Sequence, residues 1–307
     1  MTAEVLRYAA FTPDPGPATG ARKPVVGGNP AGVVLDAGSL TDAQMLAIAQ
    51  AIGYSETAFV TPDPQTPSDD EAVAKAGIRY FSPVAEVAFC GHATIATGVA
   101  LAERQGPGTL HLATRAGPVT VTNRVEDGHL VATLSSPPTR TRPVDESSLD
   151  EALRALRWTR DLLDPRYPAH VAFAGNEHLM LAVRTRAALA QLDYDYSALT
   201  ALMARERWTT THLFWSENAT TFQARDPFPP GGVVEDPATG AAAAAFGGYL
   251  RDLRLVPVPT RVTVHQGYDM GSPSLLLLDL STDAASVEVT GRATELELSP
   301  YDDLVEP

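Results

Sequence analysis

The chain has 307 residues, of which 44% are hydrophobic and 20% charged, and its formal net charge is −14. This composition predicts a globular protein of about two domains rather than a disordered chain. The acidic balance argues against a nucleic-acid partner and against an anionic membrane surface, because both require clustered basic residues. A single cysteine excludes an internal disulfide. Because the sequence shows neither a signal-peptide pattern nor a membrane-spanning stretch, we expect a cytoplasmic protein.

The first half of the chain predicts short strands around two helices. The amphipathic segment 40–54 predicts a helix that Thr41 caps, with Gln44 as its capping-box partner and Gly53 at its end. The acidic segment 61–77 is expected to be an exposed loop. Strands are predicted over 4–11 and 31–37, which would form a hairpin, over 55–60 and 78–83, and as a ladder over 108–137.

The second half predicts two further amphipathic helices among strands. Helices are expected over 147–158, where Ser148 and Glu151 form a second capping-box pattern, and over 196–208. Strands are predicted over 169–183, 211–216, 220–228, 262–281 and 286–298.

Two other helical segments are small and apolar on every side. They are "FCGHATIATGVALAE" (89–103) and "EDPATGAAAAAFGGYLRD" (235–252), each preceded by a strand and a tight turn. A surface helix would show one apolar stripe and a charged face, which these lack until their last turn. The pattern predicts helices buried inside curved sheets. One such helix in each half of the chain predicts an α+β protein of two similar domains, each a sheet wrapped around a central helix.

The residues just ahead of these two helices are candidates for chemistry. A helix N-terminus offers unpaired N–H groups and a partial positive charge, so facing N-termini would form an anion-binding cleft between the domains. The candidates are Cys90, Gly91 and His92 in one half and Asp236, Thr239 and Gly240 in the other.

Each candidate also has a purely structural interpretation. His92 could be a hydrogen-bonded residue of a helix start instead of a general acid or base, and Asp236 could simply cap a helix. Glu56 lies where a helix ends and the apolar strand "TAFV" begins, so it is either a proton-transfer group or an exposed glutamate on a strand edge. Cys90 could be a thiol acid or base, a nucleophile, or a small buried hydrophobe.

Metal and dinucleotide sites are disfavoured by the same patterns. The pair Cys90 and His92 lacks the second ligand cluster of a zinc site, so no metal is expected. The sequence contains neither a G-x-G-x-x-G after a strand nor a Walker A motif.

Four ordered segments resemble the PhzF-like isomerase family of phenazine biosynthesis, which belongs to the diaminopimelate epimerase-like superfamily. They are "GGNPAGVVLDAGSLTDAQMLAIAQAIGYSETAFV", "RYFSPVAEVAFCGHATIATG", "VVEDPATGAAAAA" and "HQGYDMGSPS", and they span residues 27–274. The resemblance implies two epimerase-like domains, each with a mixed, mostly antiparallel sheet around a central helix. We place them at 1–128, completed by about 288–307, and at 129–287.

The resemblance also implies an activity and a set of site residues. Characterised members isomerise trans-2,3-dihydro-3-hydroxyanthranilate without cofactor or metal. The S-E-T motif assigns Glu56 as a catalytic residue, the G-H motif assigns His92, and the D-P-x-T-G motif assigns Asp236. A homodimer is common in the family and is expected here.

The chain departs from the family pattern at two places. Ala241 replaces the serine that commonly follows D-P-A-T-G and contacts the substrate region, and Ser272 stands where the late G-R-P-S motif has arginine. Related epimerases use two cysteines as an acid–base pair, whereas this chain has only Cys90, so a two-thiol mechanism is excluded. The proton chemistry is therefore assigned to Glu56.

These observations predict a cofactor-independent isomerase that shifts a proton within a small carboxylate-bearing metabolite. The alternatives are a protein of the same fold that binds metabolites without turnover and one that catalyses a different reaction in the same site. The expected substrate-binding residues are Ser55, Cys90, Gly91, Thr239, Gly240 and Ala241.

Overall fold

A computed structural model of the chain describes residues 3–13, 27–62 and 73–297. These residues form an α+β structure that divides into two compact units. Unit 1 comprises Met1–Ser135 with Thr290–Pro307, and unit 2 comprises Ser136–Val289. The expected domain boundaries stay a prediction. They place one domain at 1–128, completed by about 288–307, and the other at 129–287. Among the helices of the described ranges, none combines the length and the apolar character that a membrane crossing needs.

The elements alternate along the chain as short strands and helices. The strands are β1 (Leu6–Ala10), β2 (Asn29–Val34), β3 (Glu56–Pro62), β4 (Val73–Phe81), β5 (Glu86–Val87), β6 (Thr109–Thr114), β7 (Gly117–Glu126), β8 (His129–Ser135), β9 (Arg140–Pro143), β10 (His170–Phe173), β11 (Glu177–Ala182), β12 (Trp208–Ser216), β13 (Thr221–Pro227), β14 (Glu235–Asp236), β15 (Thr260–Gln266), β16 (Ser274–Leu280) and β17 (Glu288–Glu295). The helices are α1 (Asp42–Ile52), α2 (Gly91–Gln105), α3 (Glu146–Ala155), α4 (Arg186–Ala190), α5 (Tyr196–Glu206) and α6 (Gly240–Asp252).

The strands of unit 1 pair in a closed ring around α2. The order is β1, β2, β3, β4, β6, β7, β8 and β17, which returns to β1. Every residue of α2 from Gly91 to Ala102 is buried, as its small apolar sequence predicts. A Cβ added at Gly98 would lie 2.9 Å from both Asn123 Oδ1 and Val121 Cγ1, so the helix and the strands approach as closely as glycine allows.

The amphipathic helix α1 covers the outside of this ring. The predicted capping box is confirmed: the Gln44 N–H donates to Thr41 Oγ1, and the Thr41 N–H donates to the Gln44 side chain. Gly53 ends the helix in the left-handed conformation at φ 71°, which glycine adopts without strain. The buried side of α1, with Met45, packs with Phe59 of β3 and Phe81 of β4.

The prediction of an exposed loop over 61–77 is wrong for its last residues. Strand β4 begins at Val73, because it pairs with β3 on one side and, in parallel, with β6 on the other. Pairing with two neighbouring strands therefore extends β4 into a segment that lacks an alternating apolar pattern. The residues 63–72 of the expected loop lie outside the described ranges.

Unit 2 places its sheet between two layers of helix. The strands run in the order β9, β10, β11, β12, β13, β15 and β16, and the short β14 pairs with β13. Helix α6 is buried over most of its length against one face, as its sequence predicts. On the other face, α3, α4 and α5 bury Leu153, Leu189 and Leu199 against Leu181 and Leu213 of the strands.

The second predicted capping box is wrong. Helix α3 begins after Asp145, so Ser148 lies inside the helix and is buried. The Ser148 hydroxyl donates to the Glu206 carboxylate of α5 at 2.9 Å. Packing of α3 on α5 thus decides the position of Ser148, in place of the local capping pattern.

A polar cluster is buried where the sheet of unit 2 packs against α6. His212 Nδ1 lies 2.7 Å from Asp226 Oδ1 with both side chains fully buried, and the His212 ring packs on Phe246 of α6. On the neighbouring strand, His178 Nδ1 lies 2.8 Å from Thr210 Oγ1. The Nε2 atoms of both histidines are buried and have no hydrogen-bond partner among the described residues. Burial, with a smaller contribution from His212, lowers the pKa of His178 to about 3.

We predict that Gly98→Val destabilises the protein, because the added methyl groups overpack the contact of α2 with β7. The expected loss in the free energy of unfolding is about 1–3 kcal/mol. Ala51→Val, at an exposed position of α1, is the matched control, and it should cost below about 1 kcal/mol from helix propensity alone. Urea unfolding measures both, and equal losses would show that α2 is not packed tightly.

We also predict that His178 makes the protein acid-sensitive. Its pKa in the folded state, about 3, lies below the ordinary value of 6.5, so the unfolded chain binds a proton that the folded chain does not. The free energy of unfolding should therefore fall as the pH drops from about 6.5 toward about 3, by a few kcal/mol in total.

The measurement is urea unfolding at several pH values for the parent protein, for His178→Gln and for His111→Gln. His178→Gln should flatten the acid dependence. His111→Gln removes an exposed imidazole and should leave the dependence as in the parent. An identical acid dependence in all three proteins would contradict the assignment to His178.

Candidate active site

The start of β3 carries Ser55 and Glu56. Because α1 ends at Gly53 in the left-handed conformation, the chain turns directly from the helix into the strand. Strand β3 pairs in parallel with β2, with Ala31 opposite Glu56 and Gly32 opposite Thr57. The Glu56 side chain is only 13% exposed, so the hypothesis of an exposed glutamate on a strand edge does not describe it.

His92 lies in the first turn of α2 and faces these residues. Its side chain is 6% exposed, and its Nε2 is 3.6 Å from Glu56 Oε2 and 3.4 Å from Ser55 Oγ. The ring also hydrogen-bonds to the Pro30 carbonyl at the start of β2. The structure therefore brings together three of the predicted site residues, Ser55, Glu56 and His92, within unit 1.

Burial favours the neutral form of the His92 imidazole. Burial lowers its pKa below the ordinary value, and the Glu56 carboxylate and the Pro30 carbonyl offset only part of that effect. A neutral imidazole has one N–H and one lone pair. Because a carbonyl can only accept, the nitrogen that bonds Pro30 carries the proton, and the other ring nitrogen presents its lone pair.

Cys90 lies at the N-cap of α2 and touches the same ring. Its side chain makes no capping hydrogen bond, and its Sγ is 3.3 Å from His92 Nδ1 and 3.9 Å from Nε2. The Thr94 hydroxyl donates to the Cys90 carbonyl at 2.6 Å and lies 2.6 Å from the Tyr80 hydroxyl, which fixes the backbone there. Ligand atoms of Glu56, Cys90 and His92 all lie within 4.8 Å of one another. The spacing of Cys90 and His92 alone could not reveal this third group.

Unit 2 holds the other predicted residues in a cluster of its own. The N-cap of α6 is Thr239, whose hydroxyl donates to Asp236 Oδ2 at 2.6 Å, so the hypothesis that Asp236 caps the helix is wrong. Gln266 donates to the Asp236 carbonyl at 2.8 Å and accepts from the Thr239 N–H at 3.2 Å. That N–H is therefore engaged by Gln266, which conflicts with its predicted role in holding a substrate carboxylate.

The strand that carries Asp236 is fixed by an ion pair. Arg225 of β13 bonds both carboxylate oxygens of Glu235 in β14, and it also donates to the carbonyls of Leu189 and Ala190. Both members of the pair are largely buried. This satisfied pair anchors β14 on β13 and so positions Asp236.

Gln266 and Gly267 support the turn after Asp236 from the "HQGYDMGSPS" segment. A Cβ added at Gly267 would lie 2.8 Å from the Pro237 carbonyl and 2.2 Å from the Ser272 carbonyl, so the two backbones meet there. No sequence pattern indicates a role for Gln266. The only available signal was that the motif resembling the family contains it.

The remaining predicted residues lie at the two helix starts. Gly91 and Gly240 are the first residues of α2 and α6 and are buried, and Ala241 follows Gly240 with its methyl group partly exposed. The first N–H groups of each helix have no partner within the helix. The N–H groups and the partial positive charge of a helix start suit these positions to binding an anion.

The sequence matches one family model and two groups of curated relatives. The family model PhzC-PhzF, described as phenazine biosynthesis-like protein, matches residues 21–297. The chain is 32% identical over 283 residues to the uncharacterized isomerase YddE of Escherichia coli O157:H7, covering 90% of this chain and 89% of that protein. It is 31% identical over 274 residues to the trans-2,3-dihydro-3-hydroxyanthranilate isomerase of Pseudomonas aeruginosa, covering 86% and 90%.

Solved structures show the same fold. A PhzF-family phenazine biosynthesis protein of Bacillus anthracis superposes with a TM-score of 0.81 at 23% identity, over 95% of this chain and 96% of that one. A probable proline racemase from Agrobacterium radiobacter K84 superposes with a TM-score of 0.61 at 15% identity, over 98% and 94%. The fold is thus the α+β fold of racemases and epimerases. With the family match and the relatives above 30% identity, the chain belongs to the phenazine biosynthesis-like PhzC-PhzF family and is an isomerase.

Proposed function

We propose that this isomerase moves a proton within a small carboxylate-bearing metabolite and needs no cofactor. Glu56 takes the proton from a substrate carbon and returns it at another carbon, so the substrate and the product have the same atoms. The observation that supports this role is the largely buried Glu56 carboxylate, 3.6 Å from a neutral, buried His92. A positioned carboxylate with restricted access to water is suited to proton transfer at carbon.

The neighbours of Glu56 have supporting roles in this mechanism. His92 lies beside Glu56 and orients the substrate, and the Ser55 hydroxyl lies 3.4 Å from the same ring. In unit 2, we assign the orientation of the substrate to Asp236, whose carboxylate is already aligned by the Thr239 hydroxyl. We also assign substrate binding to Gly91 at the start of α2 and to Gly240 and Ala241 at the start of α6, because helix N-termini are suited to anions.

We also propose a domain architecture and an oligomeric state for the protein. The two units would be similar domains, each a mixed, mostly antiparallel sheet around a central helix, and the protein would form a homodimer. The burial of α2 in unit 1 and of α6 in unit 2 supports the similarity. Helix α2 carries His92 in its first turn, and α6 begins at Gly240, shortly after Asp236.

The named relative acts on trans-2,3-dihydro-3-hydroxyanthranilate, and we propose a related carboxylate as substrate here. Ala241 has no hydroxyl, so a polar contact of the family pocket is missing and the substrate should be less polar at that point. The same change favours, as a second candidate, a protein that binds metabolites without turnover. Turnover measurements separate the two.

Glu56→Gln should abolish proton transfer, because an amide cannot accept a proton from carbon. A substrate is first sought by incubating the protein with trans-2,3-dihydro-3-hydroxyanthranilate and then with a metabolite extract. We expect the turnover of that substrate to fall about 10²- to 10⁴-fold in the variant. With substrate deuterated at the reacting carbon, the parent protein should move the label to the second carbon or exchange it with solvent, and the variant should do neither.

Glu4→Gln, which neutralises an exposed carboxylate of the same unit, is the control and should keep parental turnover. A product of changed mass would contradict isomerisation. Parental turnover in Glu56→Gln would remove Glu56 from the mechanism, and binding of metabolites with no turnover in any variant would favour the second candidate.

Ala241→Ser should increase activity toward trans-2,3-dihydro-3-hydroxyanthranilate. The restored hydroxyl offers one hydrogen bond, worth about 0.5–1.5 kcal/mol, which corresponds to an increase in kcat/KM of about two- to tenfold. Steady-state kinetics of the two proteins measure this ratio. A decrease or no change would show that the missing hydroxyl does not select the substrate.

A further inference from the structure

Three side chains of unit 1 converge with different ligand atoms. The Cys90 sulfur lies 3.3 and 3.9 Å from the two ring nitrogens of His92, and His92 Nε2 lies 3.6 Å from Glu56 Oε2. All three ligand atoms fall within 4.8 Å of one another, and the His92 side chain is more than nine-tenths buried. The fold therefore supplies the third ligand whose absence from the local sequence argued against a metal.

The spacing of these atoms is close to that of a tetrahedral zinc site. Bond lengths of about 2.0–2.3 Å to oxygen, nitrogen and sulfur place the ligand atoms about 3.3–3.6 Å from one another. With Nε2 as the ligating nitrogen, its separations of 3.9 Å from the Cys90 sulfur and 3.6 Å from Glu56 Oε2 exceed these values by a few tenths of an ångström. The sulfur and the carboxylate oxygen lie within 4.8 Å of each other, so small side-chain rotations can bring all three atoms onto one ion. Three protein ligands also leave one tetrahedral position open.

The surroundings of His92 favour ligation. A metal-bound histidine usually donates its other N–H to a carbonyl or carboxylate, which fixes the ring and its tautomer. Here the Pro30 carbonyl hydrogen-bonds to the ring. A thiolate and a carboxylate would together balance the charge of a divalent ion in this buried place.

We propose that Glu56, Cys90 and His92 form a reversible binding site for a thiophilic divalent cation, with Zn²⁺ as the best-matched ion. The mixed sulfur, nitrogen and oxygen donor set selects Zn²⁺ over Mg²⁺ and Ca²⁺, which prefer oxygen ligands.

The bound ion inhibits the isomerase, and this consequence rests on the proposed function. A Glu56 carboxylate that coordinates Zn²⁺ cannot take a proton from carbon. The cation and the substrate therefore compete, and a chelator restores activity. Binding itself does not depend on the reaction, so it can be tested separately.

The binding test is calorimetric titration of the untagged full-length protein with zinc chloride near pH 7, in two buffers of different ionisation enthalpy. We expect one ion per chain and the release of about one proton, since a cysteine thiol must lose its proton to bind zinc. Cys90→Ser and Glu56→Gln should each weaken the affinity by at least about 100-fold, more than the usual effect of losing a supporting residue around a metal.

His111→Gln, which removes an exposed imidazole elsewhere in unit 1, should bind zinc like the parent protein. Cobalt(II) in place of zinc should produce a thiolate-to-metal absorption band that Cys90→Ser lacks and His111→Gln retains. Circular dichroism shows whether each variant is folded. If folded Cys90→Ser and Glu56→Gln bind zinc as tightly as the parent, the site does not exist.

The activity test distinguishes failure of the site from failure of the proposed function. Zinc that binds through Cys90 but leaves turnover unchanged would support the site and contradict the role of Glu56 in catalysis. Loss of turnover in Glu56→Gln without any Cys90-dependent zinc binding would overturn the site and leave the proposed function standing. Competitive inhibition by zinc that Cys90→Ser relieves would support both.

Discussion

The burial of α2 inside the ring of strands is the constraint on which the site in unit 1 depends. Where the strands approach this helix most closely there is room only for glycine, as the contacts around Gly98 show. Any polar group in its first turns must then find a partner, because an unpaired polar group costs free energy when it leaves water. Thr94 and Thr97 meet this requirement by donating to carbonyls one turn earlier. His92 meets it at Pro30 and thereby faces β2 and β3.

The register of β2 with β3 brings Ser55 and Glu56 next to His92. Pairing Ala31 with Glu56 sets Pro30 and Ser55 at the starts of neighbouring strands, and both residues contact the buried imidazole. A slip of one residue would turn the Glu56 side chain to the opposite face of the sheet. The left-handed end of α1 at Gly53 sets where β3 begins, so the helix outside the ring helps to fix the carboxylate inside it.

Unit 2 positions its candidate carboxylate through side chains instead of through the register of long strands. The strand β14 has only two residues, which is too short to hold Asp236 by ladder bonds alone. The Arg225–Glu235 pair and both ends of the Gln266 amide supply the missing bonds. Burying an ion pair costs desolvation energy, and here the two carbonyls that also accept from Arg225 offset part of it. Removing one partner would leave the other charged, buried and unpaired.

The sequence predicts features whose cause is local and fails where the cause lies elsewhere in the chain. The capping box at Thr41 and the two small apolar helices are encoded within a few residues, and they are confirmed. The start of β4 and the position of Ser148 depend on partners far along the chain, which no local pattern records. Cys90 and His92 show the same limit for chemistry. Counting ligands along the sequence finds two and argues against a metal, whereas the fold adds Glu56 and makes three. The same carboxylate that suits proton transfer also completes a cation site, so an accessible ion should act as a competitor of the substrate.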